Sequence, residues 1–302
     1  MRNQWIQLES VTKDYGEGKG IFDINLNIKE GEVFGLVGIN GSGKTTIIRH
    51  LMGFLKADKG FTSIASKNCW KQAAELKKVI GYVPGEIAFP DVRTGAEFLK
   101  WQADYIGMKN MDYANELVER FNLDINATLK RMSKGMKQKT AIVNAFMASP
   151  NILLLDEPTT GLDPLMQKTF VDLVLEEKKK GKTVFMSSHI FSELESTCDR
   201  VAFLKDGRII DIVNMNEIRG EERIKEYKIG FTHEEEFQMF KSESFTVTRV
   251  QNQYKQVTVQ VPDDEVEQLF HSLSHKEVDY LTHNPLTLEN YFIQKYSEME
   301  SA

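Results

Sequence analysis

Eight residues, Gly38-Ile39-Asn40-Gly41-Ser42-Gly43-Lys44-Thr45, constrain this 302-residue chain more than any other stretch. Before them runs Val33-Phe34-Gly35-Leu36-Val37, an apolar segment that reads as a buried strand; after them Thr46-Ile47-Ile48-Arg49-His50-Leu51-Met52 carries helical spacing. A strand that ends in a glycine-rich turn and passes directly into a helix belongs to an α/β sheet. Glycines at 38, 41 and 43 let successive N–H groups converge on one anion, and the helix adds the positive end of its dipole. Lys44 then supplies a point charge for β- and γ-phosphates, and the Thr45 hydroxyl is placed to ligate Mg²⁺.

A second apolar run, Ile152-Leu153-Leu154-Leu155, follows the loop residues Pro150-Asn151 and ends in Asp156-Glu157-Pro158. It reads as a strand buried on both faces, so its carboxylates emerge at the strand's C-terminal end, the edge where open parallel sheets bind ligands. Asp156 is the candidate to hold Mg²⁺ and Glu157 the candidate to polarise an attacking water. Asp-Glu-Pro alone is also an ordinary turn after a strand. The upstream phosphate loop gives the carboxylates a substrate.

Between these two elements lies Met132-Ser133-Lys134-Gly135-Met136, with Ser133 as an N-cap before Met136-Lys137-Gln138-Lys139-Thr140-Ala141-Ile142. On these three motifs in this order, from about Gln4 to Ile218, the chain resembles the ATP-binding subunit of an ABC transporter. The resemblance implies a phosphate-loop ATPase core of the α/β class with a helical subdomain. It implies ATP and Mg²⁺ as cofactors, and it makes Met132–Met136 the family's signature loop, usually Leu-Ser-Gly-Gly-Gln, in which Ser133, Lys134 and Gly135 would contact the nucleotide held by an opposite subunit. Tyr15 falls where an adenine-stacking aromatic is expected, and Gly38, Ile39, Asn40, Gly41, Ser42, Gly43, Lys44, Thr45 and Thr46 form the remaining nucleotide set. Glu157 and His189 carry catalysis, Thr45 and Asp156 the metal; His189 ends Val184-Phe185-Met186-Ser187-Ser188-His189, which resembles the strand that delivers the family's switch histidine. Gly161-Leu162-Asp163-Pro164 resembles the dimer-contact loop.

Two segments depart from the family pattern. Gly85, in Ile80-Gly81-Tyr82-Val83-Pro84-Gly85-Glu86, stands where a glutamine normally touches metal-bound water and senses the membrane partner; adjacent Glu86 is a candidate replacement oxygen. Lys134 and Met136 stand where the usual signature has its first glycine and its glutamine, while Ser133 and Gly135 are retained.

Organisation follows from composition and period. Residues 1–220 are expected to form the ATPase, with a pattern that turns helical from about Thr62 to Phe146 and a helical subdomain at about 85–150. Apolar stripes at Phe98-Leu99-Trp101-Gln102-Tyr105 and Tyr113-Leu117-Val118-Phe121 support that subdomain, whose part near Gly85–Trp101 is where the family docks its permease. Residues 221–302 are expected to form a small α+β domain, from the strand period at Lys255–Val261, an amphipathic helix at Glu265–Leu273 and a strand at Val278–Leu281. Its end, Leu286-Thr287-Leu288-Glu289-Asn290-Tyr291-Phe292, resembles the terminal helix of the exporter-type branch that includes bacitracin-resistance ATPases.

From Glu221 onward the chain has 8 Lys+Arg against 16 Asp+Glu, a balance of −8 within a total of −6, which leaves +2 on the preceding residues. An acidic module disfavours nucleic acid as partner. The partners expected are a second copy or a homologous ATPase subunit and an integral membrane permease, which would hold the chain at the cytoplasmic face of the cell membrane. The N-terminus carries no signal-peptide core, and no apolar run approaches a membrane helix. Cys69 and Cys198 have no metal or redox spacing. The competing expectation, a soluble ABC-type ATPase working on ribosomes or DNA, predicts paired cassettes or a split by long coiled coils, and neither pattern is present.

Overall fold

The computed structural model describes residues 4–218, 224–284 and 287–300. The chain divides between Val213 and Asn214 into two compact units; the composition change at Gly220–Glu221 and Leu286 of the terminal phrase lie outside the described residues.

The first unit opens with β1 (Gln4–Asp14), β2 (Gly20–Lys29), β3 (Val33–Val37) and α1 (Lys44–Leu51). There follow β4 (Lys59–Ile64), β5 (Lys67–Asn68), α2 (Ala73–Leu76) and β6 (Ile80–Val83). Helices α3 (Gly95–Ile106), α4 (Asp112–Arg120) and α5 (Lys134–Phe146) come next. The unit closes with β7 (Ile152–Asp156), α6 (Pro164–Lys179), β8 (Thr183–Ser187), α7 (Phe191–Thr197), β9 (Arg200–Lys205) and β10 (Arg208–Asn214).

Six strands form one sheet in the order β10-β9-β3-β8-β7-β6. The pairs β9–β3, β3–β8, β8–β7 and β7–β6 are parallel, and every residue of β3, β7 and β8 is buried, which is why these strands read as unbroken apolar runs. Their register aligns Leu36 with Ser187, Asp156 with Ser187 and Val83 with Leu155, so the loops after β3, β6, β7 and β8 leave from one edge. A second sheet, β2-β1-β4-β5, is antiparallel. One core joins them: Ile6, Leu8, Ile24 and Leu26 pack in the same cluster as Phe34, Leu36, Ile47, Leu51, Leu154 and Phe185.

The stretch 62–146 is less helical than its pattern suggests. It contains the end of β4, then β5, the four-residue α2 and β6, and becomes mainly helical only from α3. β6 has four residues, too few to show a period, and becomes a strand by pairing with β7, a partner about 70 residues away that local pattern does not reveal. The α3 ends are locally encoded: Thr94 Oγ1 accepts from Glu97 N (3.2 Å), and Gly107 closes the helix at φ 73°.

The second unit begins with α8 (Met215–Ile218) and continues β11 (Ile224–Phe231), α9 (Glu234–Lys241), β12 (Thr246–Gln251), β13 (Gln256–Pro262), α10 (Val266–Leu273), β14 (Val278–Asn284) and α11 (Leu288–Glu300). From β11 to β14 the order is βαββαβ, with an antiparallel sheet β12-β13-β11-β14, the ferredoxin-like arrangement. Tyr227, Ile229 and Phe231 on β11 and Val257, Val259 and Val261 on β13 point to one face, where Phe237 and Phe240 of α9 and Leu269 and Leu273 of α10 cover them.

Candidate functional site

At the C-terminal edge of the parallel sheet the loops of the first unit enclose a cavity of about 410 Å³. The turn after β3 supplies Asn40 through Gly43 and α1 supplies Lys44, Thr45, Thr46 and Arg49. The loop after β6 gives Gly85 and Glu86, that after β7 gives Glu157 and Thr160, and that after β8 gives His189.

The phosphate turn requires its glycines for different reasons. Gly41 and Gly43 sit at φ 83° and 111°, the left-handed side that a Cβ disfavours. At Gly38 a Cβ would fall 2.3 Å from the Leu204 carbonyl oxygen, so close approach of backbone is the constraint there. Lys44 is buried; its Nζ donates to Gly38 O (2.7 Å) and lies 3.4 Å from Glu157 Oε1.

Glu157 is held by its backbone and by both carboxylate oxygens. Its φ is 50°, and its N–H donates to Ser187 Oγ (3.0 Å) and Ser187 O (3.1 Å). Oε1 faces Lys44, and Oε2 is paired with His189 Nδ1. Ser187 also donates its hydroxyl to Asp156 Oδ1 (2.6 Å), so one serine fixes both acidic residues. Asp156 is fully buried, and its Oδ2 has no hydrogen-bond partner among the described residues. A Cβ at Gly85 would lie 2.8 Å from that Oδ2, so the glycine lets the loop after β6 close over the carboxylate. An orphaned buried carboxylate oxygen behind a phosphate loop fits a divalent cation or its bound water.

Four sequence-selected residues, Ser133, Lys134, Gly135 and Tyr15, lie elsewhere. Ser133 caps α5, its hydroxyl accepting from Met136 N (3.2 Å), and Ser133 and Lys134 are exposed rather than turned into the cavity. Gly135 abuts Gly161, where a Cβ would meet the Gly161 carbonyl oxygen at 2.8 Å, and Gln138 Nε2 donates to Pro158 O (2.7 Å). The start of α5 is thereby fixed to the turn that follows Glu157. Tyr15 is 54% exposed, outside the cavity lining, with Lys13 Nζ 6.0 Å from its ring centroid. Gly38, Ile39 and Asp156 support the cavity from behind or beside it without lining it.

Sequence reasoning missed Arg49, Thr160 and Ser187. Arg49 stands one helical turn beyond Thr45, a spacing that would have placed it on the same face. Ser187 carries no local signal, because its role arises from the pairing of β7 with β8.

Comparison with known proteins bears on this geometry. The ABC transporter family profile matches residues 21–160. The bacitracin transport ATP-binding protein BcrA of Bacillus licheniformis is 34% identical over 221 residues, 72% of each chain. The ABC transporter ATP-binding protein YtrB of Bacillus subtilis is 28% identical over 292 residues, 96% of this chain and 98% of its own, so that likeness extends through the second unit. Among solved structures, the dimeric bacterial ABC transporter cassette MJ0796 superposes with a TM-score of 0.63 at 27% identity, covering 70% of this chain and 98% of that one. With Lys44, Glu157 and His189 brought to one cavity and these likenesses beside it, the chain belongs to the ATP-binding subunits of ABC transporters, which are ATP-hydrolysing enzymes.

Proposed function

We propose that this subunit drives an exporter, working with a second ATPase subunit, either its own copy or a homologue, and with an integral membrane permease. The observation that supports this is that Ser133, Lys134 and Gly135 lie outside the lining of the chain's own cavity, which leaves them to complete a site on another subunit in this reading. MJ0796 is a dimeric cassette, and BcrA and the linearmycin resistance ATP-binding protein LnrL of Bacillus subtilis, 34% identical over 212 residues, are named for bacitracin transport and linearmycin resistance. No helix among the described residues is long and apolar enough to cross a membrane, so attachment to the cytoplasmic face of the cell membrane would come through the permease. The acidic second unit argues against nucleic acid as partner.

In this reading the backbone N–H groups of Gly41 to Thr45 receive the phosphates, which compete with Gly38 O and Glu157 for the Lys44 ammonium. Released from Lys44, Glu157 orients a water and accepts its proton, while His189 holds the carboxylate through Oε2. Thr45 and Asp156 would hold Mg²⁺, which supplies neutralisation of phosphate charge when bound. Glu86, at the cavity wall beside Gly85, offers the oxygen that a glutamine supplies elsewhere in the family. Ser133 and Gly135 of the second subunit close over the γ-phosphate, and closure is transmitted to the permease.

Glu157→Gln keeps size and hydrogen bonding but removes the base. We expect it to bind ATP, hydrolyse it at least 100-fold more slowly and elute as a dimer with ATP in size-exclusion chromatography. Turnover near the wild-type rate would remove Glu157 from the chemistry. Purification of the chain from detergent extracts without any integral membrane protein, but with ribosomes, would overturn the exporter reading.

A further inference from the structure

The loop that carries His189 and the loop that follows Glu157 share a third group. Glu193, in the first turn of α7, is only 4% exposed. Its Oε2 accepts from Ser188 Oγ (2.6 Å), next to His189, and from Thr159 Oγ1 (3.1 Å), two residues beyond Glu157. Ser188 Oγ in turn accepts from Ile190 N (3.0 Å), which fixes the turn on the far side of His189. Glu193 Oε1 is buried with no hydrogen-bond partner among the described residues. A carboxylate in this position costs desolvation. A core designed only for packing would place an apolar side chain there.

We propose that Glu193 is a positioning residue: one buried carboxylate oxygen ties the turn beyond Glu157 to the turn bearing His189, so that the base and the histidine that holds it stay in a common geometry. The inference rests on the assignment of Glu157 and His189 to hydrolysis. Ionised, Glu193 accepts two charge-assisted hydrogen bonds that draw both loops inward; neutral, it holds them by weaker bonds. Burial raises its pKa to about 7, with the charge of Glu157 raising it and His189 lowering it. The other titratable groups around it are Lys168 of α6, which lines the same 260 Å³ cleft, and Cys198 just beyond α7. The tie is therefore tightest above about pH 7 and loosens as pH falls below it.

Steady-state ATP hydrolysis by the full chain tests this in Glu193→Gln, Glu193→Ala and Thr159→Val, with thermal midpoints recorded for each. We expect wild-type kcat to rise several-fold between pH 6 and pH 8. Glu193→Gln should keep the pH 6 rate and lose most of that rise, because its amide oxygen still accepts both hydroxyls but does not ionise. Thr159→Val should lower kcat about tenfold with KM for ATP unchanged, since one side of the tie is gone and the phosphate turn is untouched. If Glu193→Gln and Thr159→Val both keep the wild-type kcat and pH profile, the proposal is wrong. Glu157→Gln run in parallel separates the two ideas: its inactivity beside fully active Glu193 and Thr159 variants would overturn the tie and leave the role of Glu157 standing.

Discussion

Lys44 illustrates how a single side chain can join the phosphate turn to the acidic loop after β7. Its ammonium is buried and satisfied by Gly38 O and Glu157, so this charge is not left unpaired. Lys44→Ala removes a charge-assisted contact worth about 1.5–3 kcal/mol, and nucleotide affinity should fall roughly 10–100-fold in a fluorescent-nucleotide titration. An affinity within twofold of wild type would show that the backbone N–H groups hold the phosphates alone. These residues were legible in the sequence because a phosphate turn needs glycine where φ is positive and a cation at a fixed offset. Ser187 and Glu193 were not. Each acquires its meaning only when the loops after β7 and β8 are brought side by side, as the Asp156–Ser187 register does.

At the scale of elements, α5 poses a contest between two effects. Gly135 lies in its first turn, where alanine would ordinarily stabilise a helix by up to about 1 kcal/mol. Against this, a Cβ at 135 would meet the Gly161 carbonyl at 2.8 Å, and backbone does not yield as a flexible side chain does. Overpacking of this kind costs about 1–3 kcal/mol, so Gly135→Ala should lower the thermal midpoint rather than raise it. A raised midpoint would mean that α5 can slide away from the turn at little cost. Long elements such as α5 and α6, with caps at Ser133 and Asp163, could be read from local chemistry. Short ones could not: β6 has four residues, and β12 exposes most of its side chains and so lacks the inward alternation by which β13 was recognised.

The whole molecule is two units with separate cores, one built on two sheets and one on βαββαβ. The phosphate loop, the acidic pair and His189 all lie in the first. Ligand binding stabilises only what it contacts, by about 2.7 kcal/mol when ligand is at a hundred times Kd. Calorimetry of the Glu157→Gln variant with Mg²⁺ and saturating ATP should raise one unfolding transition by several degrees and leave a second in place. A single transition shifted as one would show that the second unit unfolds with the ATPase. The acidity of residues 221–302 and the strand period near Val257 revealed a separate module in the sequence. Its topology depends on pairings such as Tyr227–Val259 and Ile229–Leu281, which no local pattern specifies.

The contact between α5 and the turn after Glu157 has a further consequence. Gln138 grips Pro158 and Gly135 rests on Gly161, so the turn after Glu157, the proposed base, and the segment proposed to reach a neighbour's ATP are tied to each other. In a pair of such subunits, neither reaction centre can rearrange privately. On the proposed roles, a change around Glu157 on one side would shift the segment over the other, and communication between two ATP molecules would follow from that tie.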